Sequence, residues 1–204
     1  MTRIKLCGIR REEDAAVANE LAPDYVGFVF AKKSKRYVTP EKAEELRKIL
    51  NPGIKTVGVF VKEVPELILE LLKDNIIDAA QLHGGEDDEY VRRLKERTIK
   101  PIFQAFRIDS AEDVERANNS SADMVLLDAG KGGTGQVFDW NLLKDIKRPY
   151  ILAGGLNTDN VAMAVETLKP YGVDVSSGIE TEGVKDPEKM RLFVKLVREQ
   201  EERN

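Results

Sequence analysis

The chain of 204 residues holds one cysteine, one histidine and one tryptophan. A single thiol closes no internal disulfide, and one histidine with one cysteine falls short of a usual zinc ligand set. Catalysis, if present, is therefore expected to need no transition metal. The longest apolar run, Tyr25 to Ala31, is far below the roughly 20 residues of a membrane helix, and the amino terminus has no charged-then-apolar leader. A net charge of -4 with both signs mixed gives no basic patch for nucleic acid or an anionic bilayer. No GxGxxG follows the first apolar run, and no low-complexity segment or linker divides the chain. These absences leave a cytoplasmic protein acting on a small molecule, with no nucleic-acid or membrane partner.

What is present is a rhythm of eight short beta-rich runs. They are IKLCGI at 4–9, YVGFVF at 25–30, TVGVFV at 56–61, DAAQLH at 78–83, KPIFQAF from 100, DMVLLD from 123, PYILAGG from 149 and GVDVSS from 172. Between them lie segments such as PEKAEELRKIL and DDEYVRRLKER, whose apolar residues recur at three and four, the mark of helices with one buried face. Thr39 before Pro40, Ser110 with Asp113 three later, and Asp186 before Pro187 supply helix-start chemistry. Strands that alternate with helices run parallel, and their near-uniform apolarity means both faces are covered. Eight even units predict a single-domain α/β fold across 1–204, a (β/α)8 TIM barrel of minimal length, since such barrels take about 200 to 250 residues. An open doubly wound sheet is the rival. Gly27 and Gly58, inside the similar runs VGFVF and VGVFV, fit a close approach or bend in the barrel wall and hint at a half-barrel repeat.

In these barrels the site lies at the carboxyl ends of the strands. Strand one delivers Cys7 and Gly8 there, strand four Gln81 and His83, strand six Asp128, strand seven Gly154 and Gly155, and strand eight Ser176, Ser177 and Gly178. The last two groups suit phosphate held by backbone N–H groups and a short helix amino terminus, although the glycines also suit tight turns. The stretch DAGKGGTGQVFDW at 128–140 reads as a lid or as an ordinary surface loop. Arg36 could grip a planar carboxylate with two parallel hydrogen bonds, while Lys32, Lys33 and Lys35 read as solvated. His83 suits either a structural place or a substrate contact. Cys7 and Asp128 could serve as acid and base, against the plainer readings of a buried small hydrophobe and a turn cap. A Cys-His nucleophile with Asp128 as orienter is formally open, without local support.

The blocks KLCGI, VGFVF followed by SKR, VGVF, QLHG, LLD followed by GGTG and FDW, LAGGL, and DVSSGIE occur in the order that resembles the phosphoribosylanthranilate isomerase family of tryptophan biosynthesis. The resemblance covers nearly the whole chain. It implies a cofactor-free, single-domain barrel, monomeric or homodimeric, that isomerises N-(5'-phosphoribosyl)anthranilate by an Amadori rearrangement. It further implies Cys7 as general base and Asp128 as general acid, Arg36 facing the anthranilate carboxylate, and His83 lining the pocket. Gly154, Gly155, Ser177 and Gly178 would surround the phosphate. Arg10 stands where a threonine often follows CGI, a change that touches the rim. A histidine-pathway isomerase of related chemistry would normally carry two aspartates, and a non-catalytic phosphosugar-binding barrel would leave Cys7 and Asp128 structural. At ordinary pKa values only about 3% of the thiol is ionised at neutrality and roughly one carboxyl in a thousand is protonated. The implied roles therefore require nearby cations for the thiol and desolvation or bound anion for the carboxyl.

Overall fold

The computed structural model describes residues 1–128 and 140–202. Eight parallel strands close on themselves: β1 (Arg3–Cys7), β2 (Tyr25–Val29), β3 (Lys55–Phe60), β4 (Ala79–Leu82), β5 (Ile102–Arg107), β6 (Met124–Asp128), β7 (Tyr150–Ala153) and β8 (Gly172–Val175). Each hydrogen-bonds its sequence neighbours, and the ring shuts where β8 pairs with β1 in the register Lys5 to Asp174. Outside it run α1 (Glu12–Leu21), α2 (Pro40–Ile49), α3 (Pro65–Lys73), α4 (Asp88–Lys95), α5 (Ala111–Asn119), α6 (Val161–Leu168) and α7 (Pro187–Glu202). All eight expected strands are present within a few residues. No helix among the described residues is long and apolar enough to cross a membrane.

The expected helix starts hold for the stated reasons. Thr39 Oγ1 accepts from the Lys42 amide at 3.2 Å, Ser110 and Asp113 form a reciprocal capping box, and Asp186 Oδ1 accepts from the amides of Glu188 and Lys189. Each satisfies donors that the first helical turn cannot pair internally.

Two features depart from eight even units. Between β6 and β7 the described residues carry a 3-10 helix, Trp140–Asp145, in place of an α-helix; Pro149 disfavours helical backbone just before it and shortens the segment. After β8 the chain forms a hairpin of β9 (Glu180–Thr181) and β10 (Val184–Lys185). Its turn residues, Glu182 and Gly183, both take positive φ, 52° and 76°, which matches the twist of tight two-residue hairpins. No short helix follows Ser177, so the helix terminus expected beside a phosphate is replaced by this hairpin. The expected lid falls almost wholly on residues 129–139, outside the described residues.

The barrel is filled rather than hollow. Val57, Ala79, Phe103, Ala105, Leu126, Ile151 and Ala153 form one buried cluster inside the ring, and Cys7, Val29 and Val59 form another towards the carboxyl ends. Three alanines leave room for one large ring, Phe103, which meets Tyr25 edge to face with centroids 5.9 Å apart. This plug is the floor on which the polar mouth rests. Phe103→Ala should therefore destabilise the fold by about 3–5 kcal/mol, read as a lower urea midpoint at unchanged m-value.

Candidate active site

Above that floor opens a cavity of about 390 Å³, a size suited to one small ligand. Of the residues singled out from the sequence, Cys7, Arg36, His83, Asp128, Gly154, Gly155 and Ser177 line it together. Gly178 does not. A Cβ at Gly178 would lie 1.9 Å from the Leu156 carbonyl oxygen, so this glycine lets the β8 loop press against the β7 loop, where Asn157 bridges to it.

Two glycines shape the space around the thiol. A Cβ on Gly27 would sit 2.7 Å from Cys7 Sγ, and one on Gly8 would sit 2.5 Å from the Arg36 side chain. The close approach expected at Gly27 is thus the seat of the sulfur. Cys7 is 7% exposed. Burial is the largest influence on its thiol and pushes the pKa up, Lys5 pulls it down, Asp174 pushes it up, and Lys185 pulls it down; the net direction is up. The cations that the sequence could not name are therefore Lys5 and Lys185, and they moderate the cost of burial without cancelling it.

Lys5 shares the inward face of β1 with Cys7, two residues apart. It is 1% exposed, and its ammonium donates to Asp174 at 2.9 Å. Desolvation works against that ammonium, but attraction to Asp174 and Cys7 outweighs it and its pKa is raised.

Arg36 gives Nε and Nη2 to the two oxygens of Glu180 at 2.6 and 2.7 Å. Its planar fork does meet a carboxylate in parallel, but that carboxylate belongs to the hairpin. Lys185 donates to the same Glu180 at 2.7 Å and to the Ser176 carbonyl at 2.9 Å. Burial alone would raise the Glu180 carboxyl, yet Arg36 and Lys185 overcome it and hold the pKa at about 2. Of the five guanidinium N–H groups, three remain for a ligand. At the rim, Arg10 donates to the Lys35 and Gly183 carbonyls, tying the β2 loop to the hairpin.

Asp128 stands at the end of β6 with Oδ2 3.3 Å from His83 Nε2, and His83 Nδ1 lies 3.2 Å from Gln81 Nε2. Gly154 and Gly155 take φ of 80° and 68°; open space surrounds Gly155, so the left-handed turn rather than crowding calls for glycine there.

Residues 4–196 match the family model for N-(5'-phosphoribosyl)anthranilate (PRA) isomerase. The chain belongs to the N-(5'-phosphoribosyl)anthranilate isomerase family. It is 47% identical over 202 residues to the enzyme of that name from Endomicrobium trichonymphae, covering 97% of this chain and 99% of the relative. The crystal structure of phosphoribosyl anthranilate isomerase from Thermotoga maritima is 41% identical with a TM-score of 0.88, covering 98% of this chain and all of that one. A structure of phosphoribosyl anthranilate isomerase in complex with reduced 1-(o-carboxyphenylamino)-1-deoxyribulose 5-phosphate is 40% identical, with TM-score 0.86 and 98% and 100% coverage.

The sequence reading of this isomerase-family chain missed Lys5, Asp174, Glu180 and Lys185. Lys5 and Asp174 did carry a signal, since a charge at an inward position of an otherwise apolar strand requires a partner. Glu180 and Lys185 carried none, because their pairing depends on a hairpin with only two residues per strand. Lys5→Met should raise the thiol pKa further, by removing a cation and leaving Asp174 uncompensated. Ultraviolet titration of thiolate absorbance measures this cleanly, since Cys7 is the only cysteine; an unchanged or lower midpoint would contradict the assignment.

Proposed function

We infer that the protein converts N-(5'-phosphoribosyl)anthranilate to 1-(2-carboxyphenylamino)-1-deoxyribulose 5-phosphate in tryptophan biosynthesis, an Amadori rearrangement run by general acid–base catalysis. The observation that carries the reading is that Cys7 and Asp128 line one cavity in a chain matched along its length by isomerases of this name. Asp128 protonates the furanose ring oxygen, and the ring opens to a protonated Schiff base. Cys7 thiolate then removes the C2' proton to give an enolamine, which gains a proton at C1' and loses the hydroxyl proton to become the ketone. One proton is given and one is taken, so the pair ends with a single proton, as it began.

Arg36 meets the anthranilate carboxylate with the N–H groups that Glu180 leaves unused, and His83 lies along the pocket wall. Gly154 and Gly155 offer backbone N–H groups to the phosphate, Ser177 adds its hydroxyl, and Gly178 brings the two loops close enough to act together. Every residue given a role comes from one chain, so chemistry proceeds in a monomer or in each half of a homodimer. A Thermotoga maritima relative is dimeric, and monomers generated from it have also been crystallised. The tryptophan-pathway setting favours the cytoplasm.

Turnover of anthranilate ribotide, followed by loss of its fluorescence, tests the reading directly. Cys7→Ala and Asp128→Ala should each lower kcat by at least about 100-fold, the low end for a placed acid or base, with product affinity changed little. Unchanged kcat in either variant would remove that residue's role. The pH profile follows from the proton count: the active pair holds one proton, on the carboxyl, and a pair sharing one proton persists between its two titrations. Since burial raises the thiol above its ordinary 9.0, kcat/KM should stay level through neutrality, with its upper fall in the alkaline range and its lower fall where the pair takes up a second proton. A steep rise across neutral pH would contradict this scheme.

A further inference from the structure

Gln81 sits on β4 with 1% exposure, on the cavity wall. Its Nε2 is 3.2 Å from His83 Nδ1, and His83 Nε2 is 3.3 Å from Asp128 Oδ2. Its Oε1 is the one buried side-chain polar atom without a hydrogen-bond partner among the described residues. An amide nitrogen can only donate and an amide oxygen only accept. The contact to Nδ1 therefore makes that ring nitrogen an acceptor and puts the imidazole proton on Nε2, where it points at Asp128. A buried acceptor left unpaired on a cavity wall is unfavourable unless something arrives to satisfy it.

We propose that Gln81 is a positioning residue that couples sugar binding to the acid: its Nε2 holds His83 as the Nε2–H tautomer, which donates to Asp128 Oδ2, while its Oε1 accepts a hydroxyl hydrogen of the bound sugar. This deepens, and rests on, the isomerase reading. With the imidazole N–H on Oδ2, the proton given to the furanose ring comes from Oδ1. When that proton departs, the N–H already in place steadies the carboxylate that forms. The reverse amide orientation would accept from Nδ1–H and leave Nε2 of the ring with a lone pair facing Asp128. A sugar hydroxyl that donates its hydrogen to Oε1 supports the first orientation, in which Nε2 stays on the ring; in the flipped amide the same hydroxyl would have to accept from Nε2 instead.

The lone histidine makes the test direct. Nitrogen-15 NMR of the full protein should show His83 in the Nε2–H form at neutral pH, and the Nδ1–H form would overturn the proposal. Gln81→Leu should lose the tautomer preference, lower kcat about ten- to a hundredfold, a part of the roughly 10²–10⁴ a placed acid contributes, and raise KM. Gln81→Glu keeps an acceptor in place but draws the proton to Nδ1, so kcat should fall as far while KM stays near wild type. A variant whose kcat falls with the tautomer unchanged would refute the coupling, as would wild-type kcat in both. Absence of turnover by the unaltered protein would instead sink the isomerase reading, while the NMR result on His83 would stand by itself.

Discussion

A closed parallel barrel leaves no interior water to solvate a charge, so every ionisable group turned inward must be paired or carried to the mouth. That constraint organises the site. Lys5 and Asp174 face one another across the β1–β8 seam, and Arg36, Glu180 and Lys185 form a second compensated set just above. Such pairs contribute little net stability, because desolvation consumes most of the attraction. Their value lies in placing fixed charge beside a thiol whose own burial works against ionisation.

The same dryness bears on proton placement. A base that is hard to ionise is also a strong base once ionised, and in the proposed scheme an acid that readily gives up its proton would favour ring opening. Under the acid–base scheme proposed above, the working arrangement, proton on the carboxyl and charge on sulfur, is one of two tautomers of the singly protonated pair. In that scheme Lys5 and Lys185 matter because both favour the thiolate against the burial that opposes it.

Much of this was legible in the sequence, and for identifiable reasons. The strands announced themselves because both faces are buried and each run is apolar throughout; the helix starts did so because Thr39, Ser110 and Asp186 are local chemistry, readable without knowing the fold. Cys7, His83, Asp128 and the β7 glycines followed once strand ends were known, since the barrel sends all strand ends to one rim. The hairpin at 180–185 stayed hidden because two residues per strand give no periodicity, and with it stayed hidden the carboxylate that occupies Arg36. Gly178 was read for its place beside a phosphate, and its missing side chain has a second reason, the Leu156 carbonyl packed against it. Composition cannot separate a glycine that exposes its amide from one that admits a neighbouring loop.

The glycine beside the sulfur carries one more implication. Because a Cβ at Gly27 would lie 2.7 Å from Cys7 Sγ, the absent side chain on β2 leaves the sulfur the place it holds. Any side chain at residue 27 would displace that sulfur from its place on the cavity wall. The position of the one thiol in the chain is thereby owed to a methyl group that was never there.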